Sequence, residues 1–118
     1  MEELIIRAIK ASWSKETSAS PDKWSKDNPS LGQCAVTALV IQDLKGGDLL
    51  RGKVNGSSHY WNRLPDGPEL DLTIDQFGVP KPDIKGQERM SREYCLSFIS
   101  TKTRYDILKE STMEYILD

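Results

Sequence analysis

The chain has 118 residues, of which 37% are hydrophobic, and 16 Lys and Arg against 18 Asp and Glu give a formal charge of −2. This length predicts one domain over residues 1–118, and the near balance of charge gives no electrostatic basis for binding nucleic acid. The longest segment without a charged residue, residues 28–42, is too short and too polar to span a membrane.

The start of the chain and its two cysteines favour a cytoplasmic location. Two glutamates precede the first apolar residues, whereas a signal peptide begins with basic residues and continues with a longer apolar block. Cys34 and Cys95 are far apart in the sequence and do not form the dense cysteine framework of a small secreted domain. We therefore expect both thiols to be reduced.

Residues 2–12 predict an amphipathic first helix. Their apolar side chains recur on one helical face, and two glutamates in the first turn complement the positive end of the helix dipole. The segment 13–30 has no apolar period and is rich in Ser, Lys and Pro. It therefore predicts a loop, which Trp13 and Trp24 would anchor.

A second helix is predicted to begin at residues 28–31 and to end before the glycine pair at 46–47. Asn-Pro is typical of an N-cap followed by proline in the first helical position, and a Ser-x-x-Gln pattern two residues later offers a competing capping box. The middle of this segment is apolar on nearly all sides, which is typical of a buried central helix. Cys34 falls in its first turn or just after it.

Three short runs follow, over residues 48–54, 57–64 and 69–73, and are separated by Asn-Gly and by Pro-Asp-Gly-Pro. Such spacing predicts an antiparallel meander. After it we expect a short helical turn around Phe77, where Thr73 and Gln76 form a capping pattern, and then a loop over 78–87.

The remainder of the chain is predicted to be helical. Apolar residues recur at helical spacing over 90–98, and a last helix from about residue 103 is expected to pack on the sheet. Together these elements predict an α+β fold, in which a central Cys-bearing helix packs on a small antiparallel sheet with flanking helices.

Cys34, His59 and Asp71 are the candidate catalytic residues. A thiol becomes a useful nucleophile at a helix N-terminus beside an imidazolium, because unpaired amides and positive charge both favour the thiolate. In a hairpin that turns near residues 66–67, His59 and Asp71 fall on the same face of the sheet. Asp71 would then orient the imidazole, as the third member of a catalytic triad does.

Each of these residues also has a structural interpretation. A cysteine in an apolar helix is usually a small core residue, and a strand histidine is often half-buried and bonded to backbone. Asp71 could instead cap the turn at Thr73 or pair with Arg63, and Asn62 is a rival orienting residue. Strand alternation favours Asp71, because Asn62 points to the face opposite His59.

We expect no metal ion and no other cofactor. The two cysteines, the histidine and Asp71 are acceptable zinc ligands, but structural zinc sites usually draw ligands in closely spaced pairs, which this sequence lacks. Cys95 has no histidine beside it in the sequence and is expected to be structural. The three tryptophans are expected to line the core or a cleft.

Several segments resemble the YunG-like family of small bacterial proteins. They are Trp24-Ser25, the stretch from Asn28 to Val40, His59-Tyr60-Trp61-Asn62, Asp71-Leu72-Thr73 and Gln76-Phe77. A helix-start cysteine, a strand histidine and an acid on the next strand are also similar to the core of the papain-like and transglutaminase-like cysteine enzymes. This second resemblance implies a papain-like core with Cys34, His59 and Asp71 as the catalytic residues.

The same resemblance implies an oxyanion donor upstream of the cysteine, where Asn28 and Gln33 are the amide residues. The sequence thus predicts a cysteine-dependent hydrolase or acyltransferase that acts on amide or ester bonds of a small amide, a peptide or a protein. The alternative is a non-catalytic module that keeps a papain-like fold and binds a ligand or protein in a cleft formed by Trp24 and Trp61.

Overall fold

A sheet of four antiparallel strands forms one layer of the computed structural model, which describes residues 1–118. The strands are β1 (Asp48–Val54), β2 (Ser57–Arg63), β3 (Glu69–Leu70) and β4 (Lys85–Met90), in the spatial order β3-β2-β1-β4. Asn55 and Gly56 join β1 to β2, and both have the positive φ that a tight hairpin turn requires. The predicted meander is therefore present, with β4 added beside β1.

Four helices pack with the sheet: α1 (Glu2–Ser12), α2 (Cys34–Lys45), α3 (Arg92–Leu96) and α4 (Ile99–Leu117). Two short 3₁₀ turns lie at Lys15–Thr17 and Ile74–Phe77. Residues 36–41 of α2 are all buried, because this helix lies between α1 and α4 on one side and β1 and β2 on the other. The α+β class and the buried central helix are confirmed. No helix combines the length and the apolar character needed to cross a bilayer.

The hydrophobic core has two parts, and α2 contributes to both. The larger part lies between α1, α2 and α4 and contains Ile5, Ile9, Trp13, Val36, Val40, Ile41, Leu64 and Leu108. The smaller part lies between α2, the sheet and α3 and contains Ala38, Leu39, Leu49 and Cys95. A buried hydrogen bond of 2.9 Å from Trp13 Nε1 to Thr37 Oγ1 fastens the end of the first helix to α2.

The second helix begins at Cys34, later than the predicted start at residues 28–31. Residues 28–33 form successive tight turns instead. Gly32 has a φ of 72°, and a Cβ there would lie 2.4 Å from Ser18 Oγ. The close approach of another loop therefore requires glycine and a non-helical backbone at this point, so the helix can begin only beyond it.

Three other predicted segments differ from the structure. β3 ends at Leu70 rather than at residue 73. The next residue, Asp71, bonds through its side chain to His59 on β2 instead of continuing the strand pairing. β4 occupies the end of the predicted 78–87 loop and the start of the predicted 90–98 helix, where it pairs with the free edge of β1. The last helix begins at Ile99 rather than near 103 and packs mainly on α1 and α2 rather than on the sheet.

Candidate functional site

Cys34 is the first residue of α2 and is partly exposed. The first backbone hydrogen bond of this helix, 3.0 Å long, runs from the Thr37 N–H to the Gln33 carbonyl. The N–H groups of residues 34–36 therefore have no partner within the helix. They form the positive end of the helix dipole, which favours negative charge beside them.

His59 lies on β2 with its side chain fully buried, and its Nε2 atom is 2.7 Å from Asp71 Oδ2. β2 and β3 pair antiparallel with Asn62 opposite Leu70. Because side chains alternate along paired strands, this register puts His59 and Asp71 on the same face. Asp71 Oδ1 also accepts a hydrogen bond of 3.3 Å from the Thr73 N–H, which holds the carboxylate in place.

Two aromatic rings enclose His59. The Trp61 ring stacks on it with centroids 5.9 Å apart, and the Phe77 ring meets it edge-on at 5.3 Å. Asn62, the rival orienting residue, instead donates a hydrogen bond of 2.9 Å to the Ala38 carbonyl of α2. Asn62 therefore stabilises the packing of β2 on α2, and the imidazole is oriented by Asp71.

The neighbours of His59 set its charge. Burial disfavours the imidazolium and by itself lowers the pKa of His59, but the hydrogen bond to Asp71 and the interaction with Cys34 outweigh burial and raise this pKa to about 9. At neutral pH the ring is therefore protonated, and its Nε2–H donates to the Asp71 carboxylate.

Because Nε2 of His59 is bonded to Asp71, Nδ1 is the ring nitrogen that is free to interact with the Cys34 thiol. This atom is buried and has no hydrogen-bond partner of normal geometry, although the Cys34 side chain is near enough to contribute to the raised pKa of His59. The structure thus pairs the imidazole with the Asp71 carboxylate and leaves Cys34 close enough to interact with the ring.

Both amides that the sequence suggests as oxyanion donors bond to backbone carbonyls. Gln33 is fully buried, and its Nε2 donates a hydrogen bond of 3.0 Å to the Ser14 carbonyl. Asn28 Nδ2 donates to the Gln76 carbonyl, also at 3.0 Å. These side chains therefore join the turn before Cys34 to two other loops.

Gln76 is a further amide residue of this region, and its sequence pattern does not point to the site. Its Oε1 accepts a hydrogen bond of 3.1 Å from the Gly32 N–H, which fixes the orientation of the amide because a donor must face an oxygen. Its Nε2 is then left buried without a partner. The sequence presents Gln76 only as a local capping residue, and no local pattern predicts a contact with Gly32.

Trp24 and Trp61 line no common cavity. Trp24 Nε1 donates a hydrogen bond of 2.8 Å to the Pro29 carbonyl and closes its own loop. Trp61 Nε1 donates to Glu69 Oε1 at 2.7 Å. With Glu69, Asp71 and Ile84, Trp61 lines a cavity of about 300 Å³. This cavity lies beside the carboxylate end of the site, and Cys34 does not line it.

The two cysteines have different surroundings. Cys95 is 3% exposed, and burial raises the pKa of its thiol, whereas Cys34 is partly exposed at the start of a helix. No group of three or more His, Cys, Asp or Glu side chains is arranged to hold a metal ion.

Comparison with known proteins gives the family. The profile of the YunG protein family matches residues 1–116. The "Uncharacterized protein YunG" of Bacillus subtilis (strain 168) is 44% identical over 72 residues, which are 61% of this chain and 59% of that relative, so the match spans less than two thirds of the relative's length. No solved structure matches the chain. Because the family profile covers nearly every residue, the chain belongs to the YunG family.

Proposed function

We propose that this protein is a cysteine-dependent enzyme that acts on amide or ester bonds by hydrolysis or acyl transfer. The main support is the buried His59 ring, held by Asp71 at 2.7 Å, with the partly exposed Cys34 thiol beside it. Nucleophilic catalysis requires a thiol paired with an oriented imidazole. The cysteine at the start of a central helix and the base on the sheet also support a papain-like or transglutaminase-like core.

In the proposed mechanism, His59 holds the thiol proton as an imidazolium, and the Cys34 thiolate attacks the carbonyl carbon of the substrate. The tetrahedral intermediate collapses to a thioester as His59 returns the proton to the departing amine or alcohol. Water or an amine then attacks the thioester, and His59 accepts its proton. A carboxylic acid or a new amide leaves, and the thiol is regenerated. The hydrogen bond to Asp71 keeps a proton on Nε2 of His59, so Nδ1 exchanges protons with the reacting groups.

The negatively charged oxygen of the tetrahedral intermediate needs hydrogen-bond donors. The unpaired N–H groups of residues 34–36 are the first candidates, because they lie at the nucleophile itself. Gln76 Nε2, a second unpaired donor, lies on an amide held against Gly32. In this proposal Gln33 and Asn28 support the site by joining its loops.

The bond to be cleaved could belong to a small amide, a peptide or a protein side chain. We also propose a cytoplasmic location, where thiols remain reduced. Both cysteines are free, which is the state that a reducing compartment maintains.

An activated ester, p-nitrophenyl acetate, tests the proposed chemistry on the full chain. We expect transfer of an acetyl group to Cys34, located by mass spectrometry, with release of p-nitrophenol measured by absorbance. Cys34→Ser should abolish this adduct. Cys95→Ser is the matched control and should leave it unchanged, because that thiol is buried. His59→Ala should slow acylation about 100-fold or more at neutral pH.

Two results would contradict the proposal. One is slow acylation of both cysteines at equal rates, which would show that the surroundings of Cys34 do not activate it. The other is rapid acylation of Cys34 that His59→Ala leaves unchanged, which would show a reactive thiol without a catalytic base.

A ligand-binding module is the second candidate, and the position of the cavity favours it. The cavity beside Trp61, Glu69 and Asp71 combines an aromatic ring with two carboxylates, and a ligand there would contact no nucleophile. Such a site would suit a small organic cation. Binding of an alkylamine, followed by tryptophan fluorescence and weakened by Glu69→Gln, together with no acylation of Cys34, would favour this function over the first.

A further inference from the structure

Arg104 on α4 is partly buried and has no carboxylate partner. Its guanidinium bonds only to neutral acceptors: Nε to Ser100 Oγ at 3.2 Å, Nη1 to the Thr17 carbonyl at 3.4 Å and Nη2 to Thr101 Oγ1 at 3.3 Å. A guanidinium has more N–H donors than the three used here. Arg104 therefore keeps both its full charge and free donors.

The other partly buried arginines are all neutralised. Each of these three forms an ion pair with an acid: Arg51 with Glu88, Arg63 with Glu69 and Arg92 with Asp43. Partial burial of an unpaired charge costs free energy, because the charge loses water without gaining a counterion. Among the partly buried arginines, Arg104 is therefore the one without a counterion from the protein.

One loop links Arg104 to the turn before Cys34. The loop that accepts its hydrogen bond at Thr17 is fastened to the turn before Cys34, by a 2.7 Å hydrogen bond from Ser18 Oγ to the Leu31 carbonyl and a 2.8 Å one from the Ala19 N–H to the Gly32 carbonyl. Burial lowers the pKa of Arg104, and the electrostatic interaction with Cys34 opposes this lowering. An anion at the reacting sulfur is therefore within electrostatic reach of Arg104.

We propose that Arg104 binds the carboxylate of an anionic substrate while Cys34 attacks a neighbouring acyl group of the same molecule. The substrate class is thus an amide or ester that carries a free carboxylate close to the reacting bond. A guanidinium suits this role because its planar N–H groups match a carboxylate in geometry and charge. This inference rests on the proposed cysteine-dependent function.

Iodoacetate and iodoacetamide test the proposal, because they are nearly the same in shape and differ in charge. With either reagent the Cys34 thiolate forms a bond to the CH₂ carbon and iodide leaves. The rate constant for iodoacetate divided by that for iodoacetamide is measured at Cys34 by mass spectrometry and compared with the ratio for free 2-mercaptoethanol. We expect the wild-type ratio to exceed the free-thiol ratio, and Arg104→Gln to lower it about tenfold.

Two further variants complete the experiment. Lys102→Gln removes an equal charge from an exposed position on the same helix and should leave the ratio at the wild-type value. Arg104→Lys keeps the charge without the planar donors and should give an intermediate ratio, and it remains informative if Arg104→Gln fails to fold.

The outcomes separate this inference from the proposed function. Fast alkylation of Cys34 by both reagents, with a ratio that neither Arg104 variant changes, overturns the role of Arg104 and leaves the enzyme proposal standing. A wild-type ratio equal to that of 2-mercaptoethanol also overturns the role of Arg104 and leaves the enzyme proposal standing. Alkylation of Cys34 no faster than that of buried Cys95, with either reagent, overturns both proposals.

Discussion

The stability of the folded protein should fall as the pH rises above neutrality, because His59 then loses a proton that the fold holds tightly. Folding raises the pKa of His59 from its ordinary value of 6.5 to about 9. A raised pKa means that folding favours the protonated form, so this stabilisation is complete below pH 6.5 and is lost as the pH rises through 9. The two pKa values differ by about 2.5, which corresponds to about 3 kcal/mol of unfolding free energy.

Urea unfolding of the wild type and of His59→Gln, between pH values of about 6 and 9.5, measures this contribution. The free energy of unfolding of the wild type minus that of the variant should shrink by about 3 kcal/mol over this interval. Asp71→Asn should remove most of the pH dependence, because Asp71 makes the larger favourable contribution to the pKa of His59. Cys34→Ser should remove a smaller part.

The direction of the pH dependence is the critical result. A wild-type stability that stays constant relative to His59→Gln, or that increases toward pH 9, would show that folding does not favour the imidazolium. The ion pair between His59 and Asp71 would then be absent in solution, and Asp71 would not hold His59 as an oriented base.

Three other predictions concern the thiols, a turn and the core. A brief iodoacetamide pulse at neutral pH should label Cys34 before Cys95, because Cys34 is the more exposed and Cys95 has a thiol pKa raised by burial. Peptide mass spectrometry follows the labelling of both residues, and the reverse order would contradict this prediction. Gly47→Ala should destabilise the protein by roughly 2 kcal/mol more than Gly56→Ala in urea unfolding. Both glycines have positive φ, but a Cβ at Gly47 would lie 2.2 Å from a carbonyl oxygen of β2 and one at Gly56 would meet nothing. Leu108→Ala should cost about 3 kcal/mol, because it empties a fully buried position between α1, α2 and α4; a loss under 1 kcal/mol, measured in the same way, would contradict that packing.

Local sequence patterns predict the parts of the fold that local chemistry determines. β1 has the predicted bounds, because Asn55-Gly56 sets the turn after it. The proximity of His59 and Asp71 also follows from strand register alone, once the two strands are paired. These features require no knowledge of distant contacts.

Features that depend on distant contacts could not be predicted in this way. β4 has no buried residue, so its sequence contains no alternating pattern, and it becomes a strand by pairing with β1. α2 begins at Cys34 because Ala19 and Gln76 hold Gly32 from two different loops. Free donors and unpaired charges, such as those of Gln76 and Arg104, are likewise visible only when every neighbour is known.

The 3₁₀ turn at Ile74–Phe77 contacts both halves of the site. Gln76 holds Gly32, two residues before the thiol, and Phe77 lies against the His59 ring. None of the residues in this turn is fully buried, so little apolar surface opposes its transient local unfolding. Each unfolding event would uncover the imidazole and release the backbone before Cys34 at the same time. Hydrogen–deuterium exchange at the Gly32 amide would therefore report how often the whole site opens.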